Sequence, residues 1–229
     1  MLSYFHNHRW WQAHGQHPLR SSIGAMLGMV ISAGAGLMVA THLGDAVWLV
    51  APMGASAVLV FAVPASPLAQ PRTVVGGNVA SVLVGLGVAQ MIGSPLAGAA
   101  LAVGLAILVM HLLRCLHPPG GAMALVAAMH GHAVAPWPWH FVLAPVAVNA
   151  VALVAAGWAF NTLTGSRYPH RAERLPEHRS PVGIDYDRAD LEAVLDELED
   201  APDVTVDDLD AIFRAVQIRR QSRPSRGLV

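Results

Sequence analysis

Two short proline-led motifs hold the residues of this sequence best suited to binding chemistry. One is Pro52-Met53-Gly54-Ala55-Ser56-Ala57, and the other is His117-Pro118-Pro119-Gly120-Gly121-Ala122-Met123-Ala124. Proline is tolerated in the first turn of a helix because its missing N–H would be unpaired there anyway. Small residues behind it keep side chains away from the backbone N–H groups that follow. A helix that starts in this way directs unpaired donors and its positive dipole end at whatever lies before it, and such a site favours an anion. The expected donors are the N–H groups around Gly54–Ser56 and Gly120–Ala122, with the Ser56 hydroxyl and the Asn78 or Asn149 amide completing the shell. Arg72 and His117 are expected at the mouth of the site, where Arg72 is equally explained as an ordinary anchor. Asn78 and Asn149 either face a pathway or bond across helices.

Other chemistries find little support. His111, His117, His130, His132 and His140 have no set of three or four with convincing metal-ligand spacing. Nucleophile triads, phosphate-binding loops and dinucleotide fingerprints do not occur. The expectation is therefore no catalytic residue, no metal and no cofactor. The formal net charge of −1 gives no basic surface for nucleic acid.

The elements that must hold these motifs are set by where charge is missing. Between Ser21 and Ser166 the only formally charged residues are Asp45, Arg72 and Arg114. A soluble domain scatters charge over about a quarter of its residues, so a stretch this bare implies lipid as its solvent. Breakers and charges cut it into six apolar segments, roughly Ser22–Thr41, Ala46–Val63, Thr73–Ile92, Leu96–Leu113, His117–His130 and His140–Phe160. Most approach the ~20 residues that cross ~30 Å of hydrocarbon. The second is broken at Pro52, and the fifth is too short to cross comfortably. Placing the N-terminus in the cytoplasm puts Arg9, Arg20, Arg72, Arg114 and Arg167 on one side and leaves the three opposite loops without Arg, as the positive-inside rule requires. Trp48, Trp137 and Trp139 then form an outer aromatic belt. The expected fold class is all-α: a polytopic transmembrane bundle over residues 21–166, flanked by cytoplasmic segments 1–20 and 167–229. The expected location is the bacterial inner membrane, with both termini cytoplasmic.

Aligning Pro52 with Pro119 superposes Gly54 on Gly121, Ala55 on Ala122 and Ala57 on Ala124, and brings Asn78 near Asn149. Three segments per half is an odd number, so repeated halves would have opposite topology, with broken or half helices meeting near the midplane. After Gly165 the charge density rises sharply. Helices are expected over Tyr186–Leu198 and from about Val206 to Arg220, the second capped by Thr205 with Asp207 and Asp208 in its first turn.

The run His117-Pro118-Pro119-Gly120-Gly121-Ala122, with Pro52-Met53-Gly54-Ala55-Ser56 and Ser66-Pro67-Leu68-Ala69-Gln70-Pro71-Arg72, resembles the HPP family of membrane proteins. The resemblance covers about Arg20–Tyr168. It implies an integral membrane protein, and members in chloroplasts and cyanobacteria are linked to nitrite transport. Two features depart from the pattern. The position of Asn78 is often His in such sequences, and many bacterial relatives continue into paired CBS domains where this chain has only a helical tail. The combined expectation is a transporter or channel for a small monovalent anion, nitrite being the implied candidate. Its partners are the lipid bilayer and that inorganic anion, and a homo-oligomer is plausible because six short helices make a thin wall. The alternative is a membrane sensor or scaffold whose tail docks a cytoplasmic partner.

Overall fold

A computed structural model describes residues 18–43, 48–130, 138–170, 186–197 and 205–221. They fall into two compact units, one ending at His170 and the other beginning after it. Regular structure among the described residues is entirely helical. The first unit contains α1 (Pro18–Leu43), α2 (Pro52–Ala62), a 3₁₀ turn (Pro67–Ala69), α3 (Pro71–Met91), α4 (Pro95–Leu112), α5 (Pro118–His130), α6 (Pro138–Val142) and α7 (Asn149–Leu163). A π-helical turn, Leu143–Val148, joins α6 to α7 so that His140–Leu163 runs as one helix. Pro145 lies inside that turn and has no N–H to give, which is why the helix widens there rather than breaking.

Among the described residues, four helices are long and apolar enough to cross a membrane: Pro18–Leu43, Pro71–Met91, Pro95–Leu112 and His140–Leu163. The two proline-led helices are shorter. At 11 and 13 residues, α2 and α5 span only roughly 16 and 20 Å at 1.5 Å per residue, about half a bilayer each. Prolines write the boundaries, since Pro52, Pro67, Pro71, Pro95 and Pro118 each open an element.

Small residues decide how closely these helices pack. The buried face of α1 is Gly24, Gly28, Ser32, Gly36 and Ala40, one residue every four, and it packs against α7 and α2. The closest pairing is α3 against α5. A Cβ on Gly85 of α3 would strike the Ala124 carbonyl and lie 2.7 Å from the Ala127 Cβ. A Cβ on Gly120 of α5 would lie 2.6 Å from Ser81 Oγ and 2.9 Å from Met110 Sδ. Around these contacts the core is filled by Met53, Val60, Phe61, Val82, Met123, Val146 and Leu153. Leu19, Met26, Val30, Met38, Leu96 and Leu112 stay exposed, as residues facing lipid do.

Basic residues gather at one end of this unit. Arg20 at the start of α1 donates to Asn161 Oδ1 (2.6 Å) and Thr164 Oγ1 (2.8 Å) at the end of α7, and its guanidinium lies 5.9 Å from the Phe160 ring centroid. Tyr168, just beyond α7, donates to Ala69 O (2.9 Å), beside the start of α3. Burial pushes the Tyr168 phenol well above its ordinary range, so it remains a donor. Arg72, in the first turn of α3, caps the end of α4 through Leu113 O (2.9 Å). The expected Asp45, His132 and Trp137 lie outside the described residues, as do residues 1–17 of the N-terminal segment.

The second unit contains α8 (Arg188–Glu197) and α9 (Val206–Gln221). Both starts are capped by side chains. Asp190 N donates to Asp187 Oδ1 (3.0 Å) while Asp187 N donates to Asp190 Oδ2 (2.7 Å). That is a capping-box pattern with Asp at both positions, whereas Thr205 is a simple N-cap: its Oγ1 accepts from Asp208 N (3.1 Å) and donates to Asp208 Oδ2 (2.6 Å). Arg188 pairs with Asp207, and the Tyr186 and Phe213 rings meet at a tilt with centroids 5.6 Å apart, joining the two helices.

The α3–α5 contact gives a direct test. Gly85→Ala should destabilise the protein by about 1–3 kcal/mol, because the facing atom is a backbone carbonyl that cannot swing away. Gly87→Ala, with open space around its Cα, should be neutral or slightly stabilising. Thermal unfolding of the purified protein in detergent separates the two.

Candidate functional site

The loop between α2 and α3 is rigid because its own side chains satisfy its backbone. Ser66 Oγ accepts from Leu68 N (3.2 Å), and Gln70 Nε2 donates to Pro64 O (3.0 Å) and Ser66 O (2.7 Å). Thr73 Oγ1 lies 2.8 Å from Gln70 O and 3.2 Å from Pro67 O. The loop so held presents the Leu68 carbonyl to His117, whose Nδ1 lies 2.9 Å away. A carbonyl only accepts, so Nδ1 carries the hydrogen, and in the neutral ring Nε2 is left with a lone pair.

That lone pair meets Ser56. Ser56 Oγ lies 2.8 Å from His117 Nε2 and donates to it, with Pro52 O at 3.3 Å as a second acceptor for the same hydrogen. Asn78 Nδ2 donates to Ser56 Oγ (3.3 Å) and to Val74 O (2.8 Å). Three elements thus meet in one hydrogen-bonded group: α2 through Ser56, α3 through Asn78, and the residue leading into α5. Ser56, Asn78 and His117 all have 0% exposure. One atom of the group is left over, for Asn78 Oδ1 is buried with no hydrogen-bond partner.

The geometry changes the expected site in four ways. First, the foremost backbone donors at the helix starts, including those of Gly54 and Gly120, are spent or absent. Pro52 has no N–H, Met53 N donates to Val50 O (3.0 Å) and Gly54 N to Ala51 O (3.0 Å). Pro118 and Pro119 have none either, and Gly120 N donates to His117 O (2.8 Å). The first turn is tightened by local bonds, a common way to satisfy a helix end. Second, Ala55, Pro118 and Ala122 point outward and are exposed, with Gly54 and Gly121 half-buried beside them, whereas Pro52, Pro119 and Gly120 are buried. Third, His117 is enclosed rather than placed at a mouth, and it is Arg72 that stays exposed while capping α4.

Fourth, Asn149 belongs to a separate group. Its Nδ2 donates to Trp48 O (2.8 Å) and Pro145 O (3.0 Å), and Ser32 Oγ donates to its carbonyl (2.9 Å). Its Oδ1 also lacks a hydrogen-bond partner, but it abuts Gly36, where an added Cβ would collide with it. Asn149 therefore fastens α1, the approach to α2 and the π-turn helix together. Sequence reasoning gives no place in the site to Leu68, Gln70 or Tyr168. Leu68 contributes only its carbonyl, which no residue type betrays.

Among the described residues no group of three or more His, Cys, Asp or Glu could hold a metal ion. What the site offers is a neutral imidazole, a hydroxyl between two acceptors, and an unpaired amide oxygen. Ser56→Ala should cost about 1–3 kcal/mol, because it strands His117 Nε2 in the interior. Thermal unfolding checks this, with Ser22→Ala, at an exposed site, as the neutral comparison.

The family model for the HPP transmembrane region matches residues 12–169. Two transmembrane proteins of Dictyostelium discoideum are each 36% identical to the chain. One match covers 131 residues, 55% of this chain and 42% of the relative, and the other 126 residues, 53% and 44%. The chain thus spans less than half the length of these curated relatives. No solved structure matches it.

Proposed function

Since the chain belongs to the HPP family of transmembrane proteins, we propose that it is a transporter or channel carrying a small monovalent anion past Ser56, Asn78 and His117. Nitrite is the candidate that the family resemblance implies. The observation that carries this reading is the polar group itself. Two half-length helices pack together in an apolar unit, and where they meet lies a fully buried Ser–His–Asn cluster. Buried polar groups at membrane depth are costly and mark solute pathways by default.

Two further features support it. The elements run long–short–long twice, with α1 packed on α7 and α4 packed on α3, so each half's first helix lies against a half's last. We read this as two inverted three-segment repeats. Neither α2, α3 nor α5 carries a carboxylate, and carboxylates are the ligands that intramembrane cation sites and proton relays commonly use. The positive-inside rule favours a cytoplasmic location for the end at which the arginines of this unit gather. A second copy would thicken the bundle wall around the exposed Ala55 and Ala122.

A sensor or scaffold role is the second reading, favoured by Ile212, Phe213 and Val216, which are exposed on α9. Truncation after Arg179 discriminates, since flux survives it if the apolar unit alone transports. Anion flux into proteoliposomes tests the first reading, comparing nitrite, nitrate, formate and chloride with protein-free vesicles alongside. We expect selective nitrite uptake, reduced at least about tenfold by Asn78→Ala, equivalent to losing roughly 1.4 kcal/mol of stabilisation in the rate-limiting step. Absence of flux for all four anions, with the protein folded, would leave the sensor reading standing.

A further inference from the structure

The buried group has a hydrogen-bond partner ready for one more proton. In the neutral state Ser56 donates to His117 Nε2 at 2.8 Å. If Nε2 gains a hydrogen, it donates to Ser56 Oγ instead, and the hydroxyl hydrogen rotates to Pro52 O at 3.3 Å. Nδ1–H keeps its bond to Leu68 O throughout. The imidazolium therefore has all its donors satisfied by atoms already in place.

Its charge, by contrast, has no fixed counterpart among the described residues. The ionisable groups on the elements around His117 are His111, Arg72, Arg114 and Cys115, with Tyr168 beyond Ala69 and His130 at the far end of α5; α2 and the Pro64–Gln70 loop have none. Arg72 and Arg114 are exposed cations, Cys115 is a buried thiol raised by desolvation, and none of these elements bears a carboxylate. An enclosed imidazolium without a counter-charge is costly, and so is an enclosed anion without a cation. Together they make a neutral pair. By linkage, each then raises the affinity for the other by the same factor.

We infer that His117 Nε2 binds a proton that travels with the anion, so that the protein moves the conjugate base of a small weak acid together with one proton. This rests on the transporter reading. The proton comes from hydronium on the loading side, forms the Nε2–H bond, and returns to water on the far side with the anion.

The test uses the full-length protein in vesicles containing a pH-sensitive dye, with sodium nitrite and then sodium formate as probes. Wild type should acidify the interior at about one proton per anion, beyond protein-free vesicles. A gradient of about one pH unit should then drive up to about tenfold nitrite accumulation. His117→Gln keeps an amide that can face Ser56 but cannot hold a proton, so this accumulation should disappear. Wild-type uptake that follows an imposed membrane potential without acidification overturns the inference and leaves the transporter reading intact. Accumulation by the His117→Gln variant equal to wild type does the same. No uptake of any anion overturns both. Should His117→Gln not fold, the wild-type stoichiometry decides alone.

Discussion

An interrupted helix inside a membrane domain exposes peptide groups that bulk water cannot reach, and each must find a partner within the protein. The whole apolar unit is organised around that constraint. Prolines remove N–H groups where a partner would be hardest to supply, and tight local bonds occupy those of Met53, Gly54 and Gly120. At the far end of α2, Asn161 Nδ2 takes the Val60 carbonyl at 3.0 Å. The loop that follows closes on its own Ser66, Gln70 and Thr73. The polar cluster at Ser56, Asn78 and His117 follows from the same need. With the backbone already satisfied, side chains are left free to build a group with its own bonding pattern.

Much of the fold is readable because lipid imposes simple rules. The near absence of charge between Ser21 and Ser166 carries the membrane assignment, and prolines mark the helix starts to within a few residues. The shortness of α2 and α5 follows from Pro52 and from the His117–His130 limits. The capping role of Thr205 is also visible, because a hydroxyl before paired aspartates has a local geometric meaning. All of these depend on neighbours close in sequence.

The site is legible as a set of names and much less so as an arrangement. Ser56, Asn78 and His117 stand out by type, yet nothing in their spacing says that they touch, for the contacts join residues 22 and 61 positions apart. Repeat symmetry groups Asn149 with them, whereas the π-helical turn and Gly36 draw it elsewhere. At Gly54 and Gly120 the anticipated backbone donors are taken for a physical reason: a carbonyl three residues earlier accepts from each. Whether a helix start is open or self-closed depends on the approach path of the chain, which Pro and Gly alone do not determine.

The contact between Leu68 O and His117 has a consequence for how this family can vary. It fixes the orientation of an imidazole with an atom that every amino acid possesses. Replacing the Leu68 side chain leaves that atom in position, so long as Pro67, Gln70 and Pro71 keep the path of the main chain. The loop can thus drift in side-chain identity at its tip while its course stays under selection. Evolutionary constraint would then register on the residues that shape the bend, and the position that makes the contact would look expendable.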